Sequence, residues 1–239
     1  MSFSTRSARD AATRVTNALL AVVLAPTCAA CARVLERPGE GPVCPLCWAA
    51  ITPLTSRPFH TNSIDIGRSA CDYDGALRDT VHAFKYEGRR SLAAPLGALM
   101  RDAGRDLLDD ATCAVPVPLH PWRRLHRGFN QAADLAATLN VPVIHALWRR
   151  RFTPPQTGLT AGARRRNVRG AFRLSPLASR TVIQSMVTGS VVILVDDVRT
   201  TGATLDACAW VLKDAGAREV RALTVAAADL ANDPQSGHR

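Results

Sequence analysis

Lysine is almost missing from this chain. Of the thirty basic residues among its 239, only Lys85 and Lys213 are lysines, and neither stands in GxxxxGK[ST], so a Walker nucleotide site is excluded. Aromatic residues make up only 5%, which leaves few platforms on which single-stranded bases can stack. No apolar run approaches the roughly 20 residues that a helix needs to cross a bilayer. There is no low-complexity tract either, and 21% charged residues is not the composition of a disordered chain. The seven cysteines are an odd number, which suits a reducing cytoplasm better than a framework of disulfides.

What is present is enough to bury a core. The chain is 47% hydrophobic, and its length suits one medium domain, or one core domain with a small appendage, rather than two full-sized ones. Its formal charge of +10 is carried by arginine, whose planar fork matches phosphate, so anionic ligands or nucleic acid become plausible partners. In residues 1–25, Arg6, Arg9 and Arg14 precede the apolar stretch ALLAVVLA, the outline of a signal peptide. Asp10 interrupts the basic part and no clear cleavage site precedes Cys28. The segment therefore reads as an amphipathic helix with Val15, Leu19, Val22 and Val23 on one side.

Four cysteines form two pairs, Cys28 and Cys31 in CAAC, then Cys44 and Cys47 in CPLC. Two intervening residues let both sulfurs of a pair face one ion, so the four predict a structural Zn2+ knuckle over residues 26–55. A redox-active pair is the alternative, but a thioredoxin-like site would use one pair rather than two. Cys71, Cys113 and Cys208 have no partner at ligand spacing and read as small buried apolar residues.

Along the rest of the chain, residues 53–74 are polar and turn-rich. Helices are expected at 76–86, 92–108 and 129–139, and strands from 114 and at 141–144. Residues 149–172 have almost no apolar periodicity and are too long for an ordinary connector, the signature of a lid or a disordered loop. The run VVILV from Val191 has the β-branched continuity of a strand buried on both faces. A helix over 203–215, closed by Gly216, and a strand in REVRALTVAAA follow. Strand, helix, strand in this order is a βαβ unit, so the core is expected to be an α/β fold with a parallel sheet and flanking helices. Residues 231–239 read as a loose tail.

The most informative stretch is VVILVDDVRTTGATL. A buried strand delivers Asp196 and Asp197 to its carboxyl end, where open α/β sheets bind ligands. The chain then turns through Arg199, Thr200, Thr201, Gly202, Ala203 and Thr204 into a helix, whose first amides and threonine hydroxyls form a cradle for phosphate. Acids that accept from vicinal ribose hydroxyls, beside a cradle for the 5-phosphate, suit a sugar phosphate. A solvated turn followed by a helix cap would account for the acids alone but not for the coincidence of features.

At this point the chain resembles the ComF family, also called GntX, of competence-associated proteins like type I phosphoribosyltransferases. VVILVDDVRTTGAT resembles the phosphoribosyl pyrophosphate (PRPP) motif of those enzymes. The likeness extends to the four cysteines, to YDGALRDTVHAFKYEGRR and VPVPLHPWRRLHRGFNQAADLA, and to a tract with Gln156, Leu159, Arg164, Asn167 and GAF at 170–172. It implies a phosphoribosyltransferase-like domain over residues 56–230, PRPP or another ribose 5-phosphate ligand bound with Mg2+, and in some members a part in DNA uptake or recombination. It places a pyrophosphate loop at Leu119, His120, Arg123, Arg124 and Arg127, with His120 and His126 as hydrogen-bonding loop residues rather than catalytic bases. A flexible lid carries Gln156, Arg164 and Asn167. Arg199 is not required by the motif; it either adds a phosphate contact or faces solvent.

Residues 119–170 hold ten arginines against the single acid Asp134, a net +9 of the chain's +10. Three functions follow as expectations. The first is a transferase moving ribose 5-phosphate from PRPP to a nitrogenous acceptor. The second is a non-catalytic or PRPP-sensing protein that binds single-stranded DNA, because arginines that neutralise phosphates give salt-sensitive binding. The third is a regulator or scaffold whose knuckle docks a partner such as a DNA-uptake protein.

Overall fold

A strand with no polar face has to be covered by helices on both sides, and VVILV is covered in that way. The computed structural model describes residues 26–54, 58–119, 125, 127–150 and 170–228. The expected N-terminal helix, the tail and most of the expected lid lie outside them. Chain order is α1 (Pro45–Ala49), β1 (Ile66–Asp72), α2 (Gly75–Tyr86), α3 (Ala93–Ala103), α4 (Arg105–Leu108), β2 (Cys113–Pro116), α5 (Gln131–Ala136), β3 (Leu147–Arg149), β4 (Phe172–Leu174), α6 (Arg180–Met186), β5 (Val191–Arg199), α7 (Ala203–Asp214) and β6 (Glu219–Ala227). Four strands form one parallel sheet in the order β1-β6-β5-β2.

The two faces of β5 separate by the period-2 rule. Ile193 and Val195 pack with Leu77 and Phe84 of α2, Leu96 and Met100 of α3, and Leu135 of α5. Val192 and Leu194 pack with Leu205, Cys208 and Leu212 of α7 and with Phe172 of β4. Residues 191–195 are each 1% exposed or less. At roughly 1.5–3 kcal/mol for each fully buried aliphatic side chain, β5 is firmly anchored just before its two acids. The hairpin β3–β4, paired from Leu147↔Leu174 to Arg149↔Phe172, lies on the α7 side.

Four expectations need correction. Residues 53–74 are not all turn, because Ile66–Asp72 forms edge strand β1 against β6. Its sequence IGRSACD lacks a β-branched run, and its inward polar residue is satisfied by a buried bond of 2.8 Å between the Ser69 and Thr224 hydroxyls. Antiparallel bridges from Pro53 to Cys71 and from Phe59 to Gly67 cover the strand's outer edge. The helix expected over 92–108 breaks at Gly104 into α3 and α4, where the Ala103 carbonyl accepts from Arg68 Nη1 at 3.1 Å. Helix α5 is shorter than 129–139 because it starts at its Asn130 cap, whose side chain accepts from the Ala132 amide at 3.2 Å. The strand expected at 141–144 is reduced to one parallel bridge, Val143 to Ala114, since Pro142 has no N–H to offer a ladder.

Helix α3 comes close to the chain after α5 at Gly97, where an added Cβ would lie 2.6 Å from Thr138 Cβ and 1.8 Å from its hydroxyl. Alanine in a helix interior is favoured over glycine by about 1 kcal/mol, whereas overpacking costs about 1–3 kcal/mol. Gly97→Ala is expected to lower the urea midpoint despite the better helix propensity.

Candidate functional site

Two turns bring the four cysteines together. Thr27 bridges to Val34, and the Ala29 amide donates to the Pro42 carbonyl at 2.9 Å, folding the second pair onto the first. All four sulfurs lie within 4.8 Å of one another, and Cys31 and Cys44 are 3.9 Å apart. Metal–sulfur bonds of about 2.3 Å to a tetrahedral ion put sulfurs about 3.8 Å apart, so the set fits such an ion. Arg33, hydrogen-bonded to Cys31, lowers that thiol to about 6. Burial raises Cys28, but the amides of Cys31, Cys44 and Ala30 bring it below its ordinary value. Burial pushes the Cys47 thiol up. Thiolate character at Cys31 is what a cation would find on arrival.

The second cluster sits at the carboxyl end of β5. Asp196 pairs in register with Thr224 of β6, and its Oδ1 accepts from the Asp197 amide at 2.9 Å. Burial, and then the neighbouring charge of Asp197, push the Asp196 carboxyl up to about 7, against the opposing pull of the Asp197 amide, Lys85 and Arg149. The turn that follows exposes Thr200 and Thr201. It enters α7 through Gly202, at φ 73° and ψ 0°, a left-handed conformation that costs a side chain roughly 1–2 kcal/mol. Asp206, in the first turn of α7, accepts from the Ser63 amide at 2.9 Å and the Thr61 hydroxyl at 2.5 Å. These bonds tie the start of the helix to the loop before β1. The first amides of α7 have no carbonyl within the helix to bond, and the turn that leads to them leaves the strand that carries both acids.

Asp197 meets Lys85 of α2, Nζ to Oδ1 at 2.7 Å, with the two side chains 15% and 13% exposed. Burial disfavours the ammonium, but Asp197, Asp196 and Tyr73 outweigh it and hold the lysine above its ordinary value. The end of α2 is clamped to the chain after β2. Phe84 packs on Phe129 at 5.7 Å, and the fully buried Gln131 donates from Nε2 to the Lys85 carbonyl at 3.4 Å. Arg127 lies 4.5 Å over the Tyr86 ring, and Arg90 grips Asp134 through two bonds of 2.6 and 2.8 Å.

The structure thus brings Asp196, Asp197 and residues 199–204 to one strand end. The Arg199 side chain turns across the sheet, donating from Nε to Ser69 at 3.4 Å and stacking 4.5 Å over Phe59. Arg127 donates to Gln131 at 3.4 Å. Leu119 lines an open groove of about 960 Å³ with Pro118, Asn130 and Trp148, among others; the acid pair does not line it. His120, Arg123, Arg124 and His126 lie outside the described residues, as do Gln156, Arg164 and Asn167. Lys85 was missed as a site residue. Its signal was available: one of two lysines in a chain that elsewhere uses arginine, inside HAFKYEGRR. Arg149, whose charge reaches Asp196, was counted only as part of the basic segment.

A model of the phosphoribosyl transferase domain matches residues 125–237. Competence protein F of Haemophilus influenzae is 32% identical over 159 residues, covering 62% of this chain and 67% of that protein. The DNA utilization protein YhgH of Escherichia coli is 34% identical over 169 residues, covering 64% and 68%. Competence protein ComFC of Bacillus subtilis is 31% identical over 153 residues, covering 62% and 58%. Among solved structures, the orotate phosphoribosyltransferase from Aeropyrum pernix overlays 75% of this chain and 88% of its own at 19% identity, with a TM-score of 0.34.

The raised Asp196 carboxyl makes a pH prediction. A folded-state value near 7, above the unfolded one, means that the folded chain binds the extra proton. The contribution is fully present below about pH 4 and is lost as pH rises through 7. Thermal unfolding of Asp196→Asn is expected to show a midpoint a few degrees above wild type at pH 8, with the gap closing by pH 4.5. A gap that is equal at both values contradicts the assignment.

Proposed function

The chain belongs to the ComF/YhgH family of phosphoribosyltransferase-domain proteins, and from that membership we propose that it binds PRPP with Mg2+ and transfers ribose 5-phosphate to a nitrogenous acceptor, releasing pyrophosphate. One observation carries the reading: Asp196 and Asp197 stand near the carboxyl end of a parallel strand whose residues 191–195 are buried, and the turn that follows Arg199 opens helix α7 through a left-handed glycine. The acids accept hydrogen bonds from the vicinal ribose hydroxyls while the amides of the turn hold the 5-phosphate. Neither aspartate is needed as a general base.

Displacement at C1 of the ribose builds positive charge on the sugar and negative charge on the departing pyrophosphate, so cationic groups placed at the leaving group favour the transition state. Leu119, His120, Arg123, Arg124 and Arg127, in the chain after β2, are assigned to that group. The stretch with Gln156, Arg164 and Asn167 is assigned to cover PRPP and exclude water. In support, its two ends are held together next to the sheet by the Arg150 amide donating to the Ala171 carbonyl at 2.7 Å. The carboxylates of Asp196 and Asp197 are hard oxygen donors of the kind Mg2+ takes, and the ion would neutralise charge on the leaving group. Cys28, Cys31, Cys44 and Cys47 are assigned to a structural Zn2+, since four protein ligands leave no open position. The odd number of cysteines, seven, supports a cytoplasmic setting. Among the described residues no helix is long and apolar enough to cross a membrane.

A second reading is favoured by the net +9 over residues 119–170 and by relatives whose names speak of competence and DNA utilization. In it the PRPP pocket senses ligand, while the arginines hold single-stranded DNA for proteins of DNA uptake. Calorimetry separates the two. PRPP with Mg2+ is expected to titrate to one site per chain, and Asp196→Asn with Asp197→Asn is expected to weaken it at least 100-fold at unchanged zinc content. Retained binding in that variant removes the site assignment. Pyrophosphate release with one member of an acceptor panel supports the transferase. PRPP binding without release, together with salt-sensitive DNA binding that PRPP alters, supports the second reading.

A further inference from the structure

We infer that Lys85 is a positioning residue of the ribose site, holding the Asp197 carboxylate in the orientation that accepts a sugar hydroxyl. The inference rests on the reading of the acid pair as the ribose receptor. Two carboxylates adjacent in sequence at the end of a buried strand repel each other and are poorly solvated, so one is free to turn away or to take up a proton. The Lys85 ammonium engages Oδ1 of Asp197 at 2.7 Å. A carboxylate offers about four acceptor positions on two oxygens, so one contact fixes the group without saturating it.

The ammonium is placed from behind. Gln131, with no exposed surface, holds the Lys85 carbonyl. The neighbouring side chains are held as well, Phe84 against Phe129 and Tyr86 under Arg127. The last turn of α2 is therefore a fixed strut, and Lys85 reaches the acid pair from it. Composition does not explain the residue, because 28 of the chain's 30 basic positions are arginine. A compact point charge fits one carboxylate oxygen where a planar fork would engage both.

The experiment titrates ribose 5-phosphate, PRPP with Mg2+ and inorganic pyrophosphate with Mg2+ into wild type, Lys85→Met, Asp197→Asn and the double variant. Lys85→Met is expected to weaken ribose 5-phosphate and PRPP by the same factor, tenfold or more, and to leave pyrophosphate within twofold. Adding Lys85→Met to Asp197→Asn is expected to change PRPP affinity less than twofold, because the lysine acts through that carboxylate. Should the single lysine variant fail to fold, the double variant, which removes both members of the ion pair, still gives the comparison with Asp197→Asn. Equal loss of pyrophosphate would make Lys85 an anion contact and overturn the inference. Multiplicative losses, or unchanged affinities, overturn it too. A folded wild type that binds none of the three ligands instead defeats the ribose-site reading itself.

Discussion

Lys85 and Asp197, 2.7 Å apart and mostly removed from solvent, join helix α2 to strand β5 at the carboxyl end of the sheet. The strand that delivers Asp197 is anchored by apolar burial on both faces, and the strand end therefore cannot move to relieve the charge it carries. The counter-charge has to come from another element, and α2 brings it. Removing one member of such a pair costs about 3–5 kcal/mol, comparable with the net contribution of several well-packed side chains. Among the described residues Asp196 makes no such ion pair, and its carboxyl rises to about 7.

That requirement gives physical content to two sequence motifs that carry no obvious chemistry. FKYEGRR closes α2 and RGFNQ opens α5, and they meet as matched surfaces: Phe84 on Phe129, Tyr86 under Arg127, the Lys85 backbone on Gln131, and Arg90 on Asp134. Asn130 caps α5 and also donates to the Val117 carbonyl at 3.2 Å, fixing where the chain returns after leaving β2. Arginines around this end of the sheet also hold protein groups: Arg90 grips Asp134, Arg127 contacts Tyr86 and Gln131, and Arg199 reaches across to Ser69 and Phe59.

Much of this was legible beforehand, and the exceptions share a cause. β5, α7 and β6 were readable because continuous β-branched runs and a 3.6-residue pattern are both strong local signals. The cysteine cluster was readable because ligand spacing is local. β1 was hidden because its inward polar group, Ser69, is satisfied by Thr224, 155 residues away. The hairpin β3–β4 was hidden because its strands are three residues each and are separated by 22 residues of sequence. Lys85 stands out as one of two lysines, but its meaning depends on an acid 112 positions further on. In each case the deciding partner is distant in sequence, which periodicity and composition do not register.

The position of a sugar phosphate relative to one strand end decides the function. A crystal structure of the protein with PRPP and Mg2+ tests it most directly. The ribose hydroxyls are expected within hydrogen-bond distance of Asp196 and Asp197, with the 5-phosphate against the amides of residues 200–204 and the Lys85–Asp197 contact intact. PRPP lying elsewhere, as in the groove lined by Leu119 and Trp148, or an Asp197 carboxylate released from Lys85 in the complex, would contradict it.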